Sequence, residues 1–154
     1  MFRLICEYLF LFWTGGSVYI EIELLYRGYT HWSMFVLAGF VFITVGLMNE
    51  LLFDWHDRFI KQVALGTIWA TFCEYICGLI LRYYGIVVWD YSDMPFNIDG
   101  LICPQFMIAW FGLVVIAIIV DDLIKFCFFN GQRPHYHIHK KCVKLCPLEI
   151  VSEV

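Results

Sequence analysis

Residues 59–83 read FIKQVALGTIWATFCEYICGLILRY, and this stretch decides the class of the chain. As a helix rising about 1.5 Å per residue it is long enough to cross a hydrocarbon core of about 30 Å. Deep within it stands a single carboxylate, Glu74. A charge at that depth costs at least about 2.5 kcal/mol, so Glu74 is expected to face a bundle interior, a wet cavity or an opposite charge.

Two similar runs precede this one. Residues 2–25 carry Glu21 and residues 31–53 carry Glu50, with the turn Tyr26-Arg27-Gly28-Tyr29-Thr30 between them. Asp54-Trp55-His56-Asp57-Arg58 then breaks the apolar pattern before the third run. Beyond it, residues 84–100 are aromatic, acidic and rich in turn formers, which suits an interfacial or re-entrant loop. A fourth run, 101–120, ends at Asp121-Asp122. The expected fold is an all-α integral membrane protein: four transmembrane helices with an outer loop in residues 1–125, then a cytoplasmic tail in 126–154.

Composition supports the class. With 62% hydrophobic and 16% charged residues, the chain is far more apolar than a soluble domain. A net charge of -4 argues against nucleic acid as a partner, because that function needs a basic face. No glycine-rich phosphate loop is present, so ATP hydrolysis by this chain is not expected. The first run lacks an A-x-A-like cleavage site and is interrupted by Glu7, which reads as a retained span. With four crossings, Arg3, Arg58, Lys61, Lys125, Arg133, Lys140, Lys141 and Lys144 share one side, and only Arg27 and Arg82 lie opposite. The positive-inside rule then puts both termini in the cytoplasm of a multi-pass cell-membrane protein.

Helical spacing arranges the polar residues into stripes. Arg3, Glu7, Thr14, Ser17 and Glu21 share one sector of the first span, with Glu23 nearly opposite and expected to reach water near the span end. Thr67, Thr71, Glu74, Gly78 and Arg82 form a second stripe. Gly39 and Gly46 give the second span a face for close helix packing, and Asn49 and Glu50 make a secondary polar site beside it. These stripes predict an outward-facing polar pocket built by the first three spans and the outer loop. Its candidate ligand-binding residues are Glu21, Arg27, His31, Glu74, Arg82, Trp89, Asp90 and Asn97. The plainer readings are a structural hydrogen-bond network for the deep glutamates, snorkelling for Glu50 and an aromatic belt for the loop.

The outer loop also carries a resemblance. Arg27-Gly28-Tyr29-Thr30-His31-Trp32-Ser33-Met34, Asn49-Glu50, Thr71 with Glu74 and Gly78, and Trp89-Asp90-Tyr91-Ser92 with Pro95, Asn97 and Gly100-Leu101-Ile102-Cys103 together resemble the CmpB-like family of ABC-transporter type IV permeases. The likeness continues through Trp110 to the acidic end of the fourth run. It implies a permease-like membrane protein, and brings no substrate or catalytic residue with it.

The function expected from these readings is binding or transport of a small molecule or ion. The partners are the bilayer and either further copies of the chain or a separate transporter subunit, with no cofactor. No H-E-x-x-H or G-x-S-x-G arrangement fixes a reaction, so catalytic residues are unassigned. The alternatives are a membrane-embedded enzyme acting on a lipid-linked substrate and a regulatory or structural subunit. Seven cysteines spread over spans and tail do not form a disulfide framework. His135, His137, His139, Cys142 and Cys146 are zinc or copper donors in kind, but their spacing matches no known finger. The expectation is no metal, and a basic tail held near anionic headgroups by Lys140, Lys141 and Lys144.

Overall fold

The computed structural model describes residues 2–53, 59–129, 135–138 and 141–144. Four long helices, α1 (Phe2–Arg27), α2 (Trp32–Leu52), α3 (Phe59–Tyr83) and α4 (Pro104–Phe129), are followed by a short antiparallel hairpin, β1 (His135–Ile138) and β2 (Lys141–Lys144). The all-helical expectation holds for the body of the molecule, and the hairpin is an addition in the tail. Three helices, α2, α3 and α4, are long and apolar enough to cross a membrane. The polar insertions of α1 keep it out of that group.

Each helix end has a local cause. Gly28, at φ 76°, stops α1 and donates its amide to the Leu24 carbonyl at 2.9 Å. His31 is the N-cap of α2: its backbone is extended and its ring accepts the Ser33 amide. At the end of α3 the Ile86 amide reaches the Leu81 carbonyl and the Gly85 amide reaches Arg82, a Schellman motif with glycine in the left-handed position.

The fourth helix departs from the sequence expectation at both ends. It starts at Pro104 rather than at residue 101, because proline suits the first helical turn, where no amide partner is needed. Leu101 instead plugs the core from the turn closed by an isolated bridge between Ile98 and Ile102. At the other end α4 continues through Asp121-Asp122 to Phe129. Lys125, one turn on, and Tyr136 of β1 bond these carboxylates, so they do not end the helix.

Packing follows small residues. The broadest helix contact is α1 on α2. A Cβ at Gly15 would lie 2.3 Å from the Phe42 side chain, and one at Gly39 would lie 2.7 Å from the Phe12 carbonyl oxygen. Close approach of this kind drives helix association where the solvent is itself apolar. Gly66 likewise admits Val114 between α3 and α4. The core runs through Met34, Leu37, Val41 and Val45 of α2, Val63, Ala70 and Cys73 of α3, and Trp110, Val114 and Ile118 of α4. Facing outward are large apolar side chains such as Leu9, Trp13, Leu25 and Ile108. An exterior of this kind suits lipid as the surrounding medium.

Candidate functional site

The helices α1 and α4 touch least among neighbouring helix pairs, and at the end of the bundle carrying the 84–103 loop they leave a groove of about 620 Å³. Its floor and walls are Tyr19, Ile22, Met34, Leu113 and Ile116, with Trp89, Tyr91, Met94 and Phe106 toward the loop. Gln105, Glu23 and Arg27 supply the polar atoms. The surface is therefore apolar along its length and charged at one end.

The charged end is built by helical spacing. Glu23 and Arg27 are one turn apart on α1 and form an ion pair, and the Thr30 hydroxyl donates to the other Glu23 oxygen. Glu23 is buried. The Arg27 guanidinium lies 4.8 Å from the Tyr29 ring centroid and reaches toward the Val88 carbonyl at 3.5 Å. Its buried Nε has no hydrogen-bond partner among the described residues.

One layer deeper, Glu74 of α3 is 3% exposed and accepts a hydrogen bond from Trp110 Nε1 at 2.8 Å. The Tyr91 hydroxyl stands 3.5 Å away on the other carboxylate oxygen. Tyr19 stacks on Trp110 and Tyr91 stacks on Phe106, at centroid distances of 5.7 and 4.3 Å. The carboxylate thus holds the aromatic wall from behind. Burial, reinforced by the charge of Glu74, pushes the Tyr91 phenol up, so it stays a proton donor.

Over the groove sits a shelf made by the loop. The Asp90 carboxylate accepts from the Ser92 hydroxyl at 2.5 Å and from its amide at 3.0 Å. These bonds, then Arg82 beside them, hold the Asp90 carboxyl below its ordinary value. Asn97 donates to the Ser92 and Met94 carbonyls and accepts the Gly100 amide, while Arg82 donates to the Asp99 carbonyl. Gly100, at φ 64°, leaves room where a Cβ would fall 2.4 Å from the Ser92 hydroxyl. Trp89 is pinned by a 3.0 Å bond to the Leu101 carbonyl.

These positions redistribute the sequence-predicted residues. Arg27 and Trp89 line the groove, Glu74 braces its wall, and Arg82, Asp90 and Asn97 tie the shelf together. His31 caps α2 and bonds Ser33 at 2.8 Å. Glu21 does not join Glu74: its side chain is exposed, and Glu23 takes the interior position. The reason is the glycine pair. Gly15 and Gly16 must face α2, which turns the Leu11 and Glu23 side inward and Glu21 outward. The cavity accordingly lies between α1, α4 and the loop, rather than among the first three helices.

A second polar cluster sits at the opposite end of the bundle. Lys125 bonds Asp121 and Glu50, each at 2.8 Å, and the Tyr136 hydroxyl bonds Asp122 at 2.7 Å. Asp121, Asp122 and Lys125 are buried, and Gly46 makes room for the Asp121 carboxylate. Glu50 is thus paired. The side chain of Asn49 lies outside the described residues. Of the tail donors, His137 and Cys142 are partners in the hairpin register, but the side chains of His135, His137 and Cys142, and the whole of His139 and Cys146, lie outside the described residues.

Glu23 and Gln105 in the groove, and Asp121, Asp122 and Lys125 in the second cluster, stand outside the set of residues expected to bind a ligand. The signal for two of the groups was the four-residue spacing of Glu23 to Arg27 and Asp121 to Lys125, which puts opposite charges on one helical edge.

The family model described as "Putative ABC-transporter type IV" (CmpB) matches residues 4–145. The match covers nearly the whole chain, and the chain belongs to this family of transporter-related membrane proteins. No solved structure matches it.

Proposed function

We propose that the chain is a four-span, permease-like protein of the cell membrane, both termini cytoplasmic, that binds a small molecule in the groove between α1 and α4. The observation that carries this reading is the groove itself: about 620 Å³, apolar along its walls, closed at one end by the Glu23–Arg27 pair. That volume falls in the range of small-molecule sites, about 300–1,000 Å³. Support for α1 as the fourth span comes from its glycine-lined contact with α2 and its exposed Leu9, Trp13 and Leu25. Eight of the ten lysines and arginines on the side of the termini support the orientation, with residues 126–154 as the cytoplasmic tail.

In this reading the shelf residues Arg82, Asp90 and Asn97 fix the outer rim, and Glu74 keeps Trp110 and Tyr91 in position. Four spans make a thin wall around a pathway, so transport in this reading calls on further copies of the chain or a separate transporter subunit.

The test is native mass spectrometry of the purified protein beside Gly112→Phe. Gly112 lines the groove, and a Cβ there meets nothing within 4 Å, so the new ring enters free space. A small molecule retained by the parent and lost from the variant supports the reading. Identical adducts on both, or none on either, contradict it. Chemical alteration of a bound lipid-linked molecule on incubation would assign an enzyme instead.

A further inference from the structure

Resting on that reading, we infer that the occupant is a zwitterionic phospholipid that enters the α1–α4 groove sideways from the bilayer, one acyl chain along the trough and its headgroup at Glu23 and Arg27. Length, charge and access each point to this class.

On α4 the groove runs from Gln105 to Ile116, about 16 Å at 1.5 Å per residue, and a leaflet is half of a core of about 30 Å. The trough therefore has the depth of one acyl chain. It continues past Leu113 and Ile116 into a smaller cavity of about 60 Å³ bordered by Gly15, Val18, Ala117 and Val120, room for the end of a longer chain. Its flank is open: Ile22, Gly112 and Ile116 are exposed, so a second chain stays in the surrounding lipid while the first is held.

The polar end carries both signs. Glu23 and Arg27 form a pair with no net charge, which offers no reason to concentrate a simple anion but matches a headgroup with a phosphate and an ammonium. Arg27 keeps a buried Nε with no partner among the described residues, and a guanidinium fork can donate to two phosphate oxygens side by side. Glu23, bonded to Arg27 and Thr30, places a carboxylate on the groove as a counter-charge for an ammonium. Tyr26 and Trp89 stand on the groove beside this pair, and aromatic faces attract an alkylammonium.

The test is photolabelling in nanodiscs with phosphatidylcholine bearing a diazirine at the end of one acyl chain, with peptides mapped by mass spectrometry. The expected result is adducts concentrated between residues 15–23 and 105–120, at least tenfold weaker in Gly112→Phe and several-fold weaker in Arg27→Gln. Phosphatidylglycerol with the same labelled chain should label the groove several-fold less. Adducts spread over all exposed helix faces, unchanged by Gly112→Phe, overturn the proposal. Equal groove labelling by phosphatidylglycerol overturns the zwitterionic assignment. Suppression by free phosphocholine at concentrations that leave the bilayer intact would assign a soluble ligand. If native mass spectrometry finds a groove-dependent adduct that is not a lipid, the lipid assignment falls and the binding groove stands; if neither lipid nor other ligand depends on Gly112, both fall.

Discussion

Lys125 shows how one side chain decides the local chemistry of a helix end. Its ammonium serves Asp121, which is buried, and Glu50, which is half-exposed, and removing it leaves a buried carboxylate with no counter-charge among the described residues. Breaking a buried pair from one side costs about 3–5 kcal/mol, whereas replacing both partners by apolar groups is often neutral. Lys125→Met should therefore lower resistance to thermal unfolding in detergent strongly, and the double variant with Asp121→Leu should recover much of the loss. At the other end of the bundle, Trp110→Phe removes the hydrogen bond to buried Glu74 while keeping an aromatic ring. The expected cost is about 1.5–3 kcal/mol, the range for bonds to charged groups, read from the same unfolding experiment.

At the scale of elements, the α1–α2 contact is set by glycines and the outer shelf by hydrogen bonds. Gly39→Leu drives a branched side chain into the Phe12 carbonyl, 2.7 Å from where its Cβ would lie, and separation of the two helices should appear as greater protease sensitivity of α1. The shelf responds to acid in a defined direction. Because the Asp90 carboxyl is held below its ordinary value of 3.8, its contribution is complete above that value and is lost as pH falls through the lower, folded-state one. Hydrogen exchange of residues 84–103 should stay slow down to about pH 4 and quicken below it, once the intrinsic pH dependence of exchange is removed. Asp90→Asn should flatten that dependence. The helices were largely legible before the structure from apolar length, and the end of α1 from the turn at Gly28, whereas the start of α4 at Pro104 was placed three residues early. The inward face of α1 was not legible. Spacing groups Glu21 with Arg3 and Glu7, but only the neighbour that Gly15 and Gly16 fit decides which side of that helix is interior.

For the whole molecule, the sequence conveyed a membrane protein of long apolar helices, and its family membership agrees. It did not convey which pair of helices stands apart, because the α1–α4 gap depends on packing between segments some eighty residues apart. Arg27 and Trp89, which stand in turn and aromatic motifs of the sequence, both lie on the groove. Glu23 was hidden by its place near a span end, where water is the simpler explanation. The account as a whole rests on the groove being a ligand site, with its apolar trough and charged rim acting together. A density map of the protein in nanodiscs tests this most directly. The account predicts elongated density along α4 from Gln105 toward Ile116, with a compact head beside Arg27. Contact between Ile22 and Leu113 across a closed α1–α4 seam, with no density there, would contradict it.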